Sequence, residues 1–130
     1  MEQSEAKILG ATSTRVVLIV LWIPSTDREG RALSNQDEWK NSGLTFFGET
    51  YGGCTAMPRA EGVWRDEERG GNLVRDFPIL LHCYVSEAQA YDRKLLSKLG
   101  AFCRKLGRDM KQGEVALLID GQWHGFKTLS

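Results

Sequence analysis

The chain predicts an α+β domain, because two segments read as strands apolar on both faces and two others read as amphipathic helices alternating with shorter strands. In segment 16–23, Val17, Ile19, Leu21 and Ile23 point one way while Val16, Leu18, Val20 and Trp22 point the other. A half-buried strand alternates apolar with polar; this one does not. Segment 77–85 behaves likewise, with Phe77, Ile79, Leu81, Cys83 and Val85 on one face and Leu80, His82 and Tyr84 on the other. A sheet centred on these strands needs a cover on each side. The helices supply one, so a second subunit or a ligand is expected on the other.

Composition narrows the class. A chain of 130 residues can bury roughly two thirds of its unfolded surface as one domain. Hydrophobic content of 42% and charged content of 26% suggest neither disorder nor a membrane class. The longest apolar run, 16–23, falls well short of the ~20 residues of a spanning helix. The first fifteen residues carry Glu2, Glu5 and Lys7 without an apolar core, so no secretory leader is read and a cytoplasmic location is expected. Cys54, Cys83 and Cys103 are an odd number without CxxC spacing, which suits reduced, buried thiols. The 17 basic and 17 acidic side chains balance, so no overall field draws a polyanion. Segment 92–111 is locally basic, with Arg93, Lys94, Lys98, Arg104, Lys105, Arg108 and Lys111 against Asp92 and Asp109.

Residues 1–14 are polar without a sustained period and read as a flexible arm; 15–130 form the domain. After the first strand, Pro24-Ser25-Thr26-Asp27 and Glu29-Gly30 carry turn chemistry. A helix follows, capped by Ser34 with Asp37 or Asn35 with Glu38, its apolar side running through Trp39, Gly43, Phe46, Phe47 and Tyr51. Gly52-Gly53 ends it, since glycine takes the left-handed conformation without steric penalty. Segment 54–57 is extended, Pro58 marks an edge or irregularity, and Gly62 to Asp66 continues the strand. The turn Glu67-Glu68-Arg69-Gly70-Gly71 leads into a third strand from about Leu73 to Val85, broken near Pro78, so the two form a hairpin. A second helix starts at Ser86 with Gln89 at capping-box spacing, buries Ala88, Tyr91, Leu95, Leu99, Phe102 and Leu106, and stops at Gly107 or Gly113. The last strand, 115–119, meets Asp120-Gly121, a two-residue hairpin signal, after which Gln122 to Phe126 offers a short fifth strand.

This order of strand, helix, strand, strand, helix, strand resembles the ferredoxin-like (βαββαβ) arrangement, a four-stranded antiparallel sheet with two helices on one face. The resemblance covers residues 15 to 126. It implies that the first and third strands are central, in agreement with their double apolarity. Many proteins of this architecture join open sheet faces into a dimeric α+β barrel, so a homodimer able to enclose a small ligand is expected. Others bind RNA through aromatics on the first and third strands; aliphatics dominate those positions here, which argues against nucleic acid.

Each candidate site residue has a bland reading beside its functional one. His82 stands between Leu80 and Tyr84 on the open face, where an imidazole can act as acid, base or ligand, or simply be satisfied within an interface. Trp64-Arg65-Asp66, with Arg59 and Glu61, pairs an aromatic with a guanidinium suited to a carboxylate or phosphate, though such groups also form solvated hairpins. Trp64, Arg65, His82 and Tyr84 are thus the candidate ligand-binding residues. Lys94, Lys98, Lys105 and Arg108 form a stripe that fits an acidic partner or a solvated helix face. His82, Cys83 and His124 lack metal-ligand spacing, and no metal or cofactor is expected. Cys54 follows a helix C-terminus, where the dipole disfavours a thiolate. The preferred expectation is a non-enzymatic homodimer. The alternatives are a dimeric-barrel enzyme using His82 and an interaction module using the basic stripe.

Overall fold

Strands β1 (Val17–Ile23) and β5 (Ile79–Val85) lie side by side, antiparallel, with Val17 opposite Val85 and Ile23 opposite Ile79. They are the second and third strands of a five-stranded sheet of order β2-β5-β1-β6-β7, in which β2 is Thr55–Ala56, β6 is Glu114–Ile119 and β7 is Gln122–Lys127. The computed structural model describes residues 4–128 as a mixed α+β protein with a mostly antiparallel sheet and several helices.

One sheet face carries the core. Val17, Ile19, Leu21, Ile23, Leu81, Cys83 and Val85 pack there against α2 (Gln36–Tyr51) and α4 (Arg93–Asp109) through Trp39, Phe47, Leu99, Cys103 and Leu106. Gly43 belongs to this contact, because a β-carbon there would collide with the Leu81 side chain. Gly52 ends α2 at φ 100°, its N–H donating to the Gly48 carbonyl at 3.0 Å, as its sequence position predicts. Neither predicted capping box forms at the start of α2. Asn35 holds the cap position, but its amide nitrogen donates to Asp109 at 3.3 Å and its side-chain oxygen accepts from no N–H of the first turn.

The predicted second helix is two helices. Ser86 and Gln89 form the reciprocal capping box that opens α3 (Glu87–Ala90), after which the Asp92 carboxylate caps a new start by accepting from Leu95 N–H at 3.0 Å. This break turns Ala88 and Tyr91 outward instead of into the core, and the Tyr91 hydroxyl donates to Asp120 at 3.2 Å. Nor does Gly107 stop α4. It stays within the helix, where a β-carbon would meet Thr128 and Val115, and the helix ends at Asp109.

Asp120 and Gly121, at φ 52° and 79°, make the predicted tight turn between β6 and β7. The short strand expected after that turn is β7, a full six residues. Within the segment read as an arm, residues 1–3 lie outside the described residues and Ser4–Leu9 forms α1, whose Ile8 and Leu9 are exposed.

Candidate functional site

The hairpin between β2 and β5 bends twice. At Pro58 and Pro78 the chain lacks the N–H a ladder needs, and beyond them β3 (Gly62–Asp66) and β4 (Asn72–Asp76) leave the main sheet as a separate two-stranded ribbon. Hydrogen bonds from Met57 N–H to the Leu80 carbonyl (2.8 Å) and from Ala60 N–H to the Pro78 carbonyl (2.9 Å) carry pairing through the bend.

Three polar groups hold the ribbon in place. Asp76 accepts from the Ser25 backbone N–H at 2.8 Å and from its hydroxyl at 2.6 Å, while the same Ser25 oxygen accepts from Phe77 N–H at 2.9 Å. Gln36, only 5% exposed, donates to the carbonyls of Ile23 (3.2 Å) and Phe77 (3.0 Å) and accepts from Arg59 (2.8 Å). Arg69, in the turn at the ribbon tip, pairs with Glu29 in the loop after β1. That loop is ordered by buried Asp27, which accepts from the N–H groups of Glu29 (2.8 Å) and Arg31 (2.9 Å), and by Gln112, which donates to the Thr26 carbonyl at 2.7 Å.

Between ribbon, loop and the helix-free sheet face lies a cleft of about 840 Å³. Its floor holds Trp22, Ala116 and Trp123, its ribbon wall Val63, Trp64 and Arg65, and its far end Glu114, Lys127 and Thr128. Trp22 and Trp123, from strands separated by β6, bring their ring centroids to 5.6 Å at 54°. Ala116 pairs with Gly125 across the β6–β7 ladder, leaving a shallow place beside the rings. A β-carbon on Gly125 would collide with the Glu114 carboxylate, so this glycine is what allows that carboxylate to lie across the floor. At the rim, Arg65–Glu67 (3.9 Å), Arg28–Glu29 (3.8 Å) and Arg69–Asp66 (3.5 Å) pair around the opening; such exposed pairs add little stability.

Of the residues singled out by sequence, Trp64 and Arg65 line this cleft. His82 sits half-buried on the helix-free face between Val20 and Thr55, and Tyr84 is 57% exposed opposite Leu18; neither lines the cleft. Lys94, Lys98, Lys105 and Arg108 are exposed on α4, in the helix layer beyond the sheet. His124 pairs with Leu117 on the opposite face of β7 from Trp123. Among the described residues no group of three or more His, Cys, Asp or Glu could hold a metal ion.

The sequence reading assigned no site role to Trp22, Glu114, Ala116 or Trp123. A signal for three of them was present: a two-residue turn at Asp120-Gly121 pairs Leu118 with Trp123, Ala116 with Gly125 and Glu114 with Lys127. The thiols offer no nucleophile. Burial pushes Cys83 and Cys103 up to about 12 and Cys54 up to about 11, so all three are protonated at neutral pH.

No protein family's sequence pattern matches this chain, and no curated protein matches it significantly. Two solved structures share its architecture. A phage SAM lyase in complex with S-methyl-5'-thioadenosine superposes with a TM-score of 0.62 at 15% identity, over 86% of this chain and 89% of that one. A phage SAM lyase in its apo state gives 0.62 at 12% identity, over 92% and 94%. Likeness at these identities establishes a shared α+β fold.

Proposed function

We propose that this chain is a small lyase that binds an S-adenosyl sulfonium compound in the cleft and breaks a carbon–sulfur bond. The observation that carries this reading is the tryptophan-lined cleft under the ribbon, in a chain sharing its architecture with a lyase that holds S-methyl-5'-thioadenosine. The volume falls within the roughly 300–1,000 Å³ typical of small-molecule sites. Indole faces suit both halves of such a ligand, stacking on a purine and attracting a cation through the ring quadrupole.

The chemistry asks little of side chains. When the bond from sulfur to the γ-carbon of the methionine moiety breaks, both electrons go to sulfur and the sulfonium becomes a neutral thioether. The substrate's own α-carboxylate can close on that carbon as a five-membered lactone, so no proton has to be moved. A cation and an anion are both neutralised, and the apolar indole surface of the cleft floor favours that change over bulk water. His82, outside the cleft, has no part in this step, and the phage neighbours, being lyases, lend no support to the non-enzymatic expectation.

Titration calorimetry with S-methyl-5'-thioadenosine tests the site. The wild type should bind, and Trp123→Ala should weaken binding about tenfold or more, since stacking on one ring is worth about 1–3 kcal/mol. No heat at millimolar ligand, or equal affinity in the variant, would refute the assignment.

The order β2-β5-β1-β6 with the core helices on one face supports the ferredoxin-like reading, with β7 and the ribbon as additions. Val16 and Tyr84, 65% and 57% exposed, favour a second copy over the uncovered part of the sheet. Tyr84→Lys should then shift a dimer to monomer by sedimentation; a wild type already monomeric at micromolar concentration would end that idea.

A further inference from the structure

We infer that Glu114 reads the positive charge of the ligand, making the cleft selective for a cationic adenosyl compound over its neutral thioether counterpart. The inference rests on the adenosyl reading above and adds the residue that separates substrate from product.

The argument starts from where the carboxylate lies. Glu114 stands directly opposite Lys127 across the β6–β7 ladder, where opposite charges ordinarily pair. It makes no ion pair with Lys127 or with any other of the described residues. Instead the side chain extends along the sheet over Gly125, into space a β-carbon would fill. On β7, Gly125 lies between Lys127 and Trp123 on the same face, so this direction takes the carboxylate toward the Trp22–Trp123 rings. The other acidic groups at the cleft are engaged: Asp76 by Ser25, Glu29 and Asp66 by Arg69, and Glu67 by Arg65. The floor therefore combines indole faces, a shallow Ala116–Gly125 step and one carboxylate free of a described partner.

Indole and carboxylate both attract a cation, and neither attracts a thioether in the same way. Loss of the sulfonium charge on bond cleavage removes that attraction, so the site holds substrate more tightly than product. The carboxylate stabilises the charged ground state more than the transition state, in which the charge is fading. Its removal should accordingly raise KM without lowering kcat.

Two uncleavable ligands of one skeleton provide the test: sinefungin, with a protonated amine in the sulfonium position, and S-adenosylhomocysteine, a neutral thioether. Calorimetry on the wild type, Glu114→Gln and Gly125→Ala should show sinefungin weakened about tenfold in both variants, as for a unit charge at ~5 Å in a partly solvated site, with S-adenosylhomocysteine within twofold. Gly125→Ala keeps the glutamate but displaces its carboxylate, so agreement between the variants ties the effect to position. Equal weakening of both ligands, or no weakening of sinefungin in a folded variant, overturns the assignment. Failure of the wild type to bind either ligand overturns the adenosyl reading itself, and the role of Glu114 with it.

Discussion

Gln36 offers a test of how the ribbon is positioned. Its side-chain amide is 5% exposed and joins three segments at the point where the ribbon leaves the sheet: the end of β1 at Ile23, the residue before the Pro78 bend at Phe77, and Arg59. In Gln36→Met the volume stays nearly constant while both donors to the carbonyls vanish. The Ile23 carbonyl, which accepts from Gln36 within the buried interior, then lacks that partner, at a cost of about 1–3 kcal/mol. The Phe77 carbonyl and the Arg59 contact are partly open to water, and together add about 1 kcal/mol. The expected loss is about 2–4 kcal/mol by urea denaturation at constant m-value. Gln36→Ala should be destabilised by a similar amount or slightly more, since it adds a small cavity. Binding of S-methyl-5'-thioadenosine should weaken in both variants, because the ribbon forms one wall of the cleft. If Gln36→Met keeps wild-type stability to within about 0.5 kcal/mol, less than one such hydrogen bond is worth, the hydrogen bonds do not fix the bend and the reasoning fails.

Two further perturbations address the anchor and the core. Asp76→Ala removes the acceptor for both Ser25 groups, so amide exchange should accelerate across 62–76 while β1 and β5 remain protected; uniform or unchanged exchange would contradict the anchoring role. Cys103 has its thiol pushed up to about 12 by burial, from an ordinary value of 9.0. Its folded value is raised, so the stability it contributes is complete below pH 9.0 and is lost as pH climbs through about 12. At pH 10 the unfolded chain gains about 1.4 kcal/mol from ionising this thiol. Urea unfolding at pH 8 and pH 10 should therefore show a smaller pH-dependent loss in Cys103→Ala than in the wild type; identical losses would show that the thiol is not desolvated in the fold.

The central strands were legible because burial on both faces writes itself into composition: every position from Val16 to Ile23 is apolar, and the core face read from alternation is the one that packs on the helices. Local rules also located Ser86 with Gln89 and the Asp120-Gly121 turn. They missed the restart at Asp92, where one carboxylate outweighs a continuous apolar period. The site was harder to see. Pro58 and Pro78 announce an interruption but not the direction in which the ribbon swings, and that direction decides that Trp64 lines one cleft with Trp22 and Trp123. Trp22 read only as part of a face awaiting a cover, and its alternation gave no sign that it would lie on the floor of a cleft. His82 drew attention through its chemistry alone, whereas the cleft is built from residues whose importance lies in their register.

Incubation of the purified protein with S-adenosylmethionine, followed by mass spectrometry of the small molecules, tests the central claim most directly. The account predicts time- and enzyme-dependent S-methyl-5'-thioadenosine in one-to-one ratio with the lactone of the four-carbon fragment, suppressed in Trp123→Ala. Unchanged S-adenosylmethionine after prolonged incubation with folded protein would contradict it.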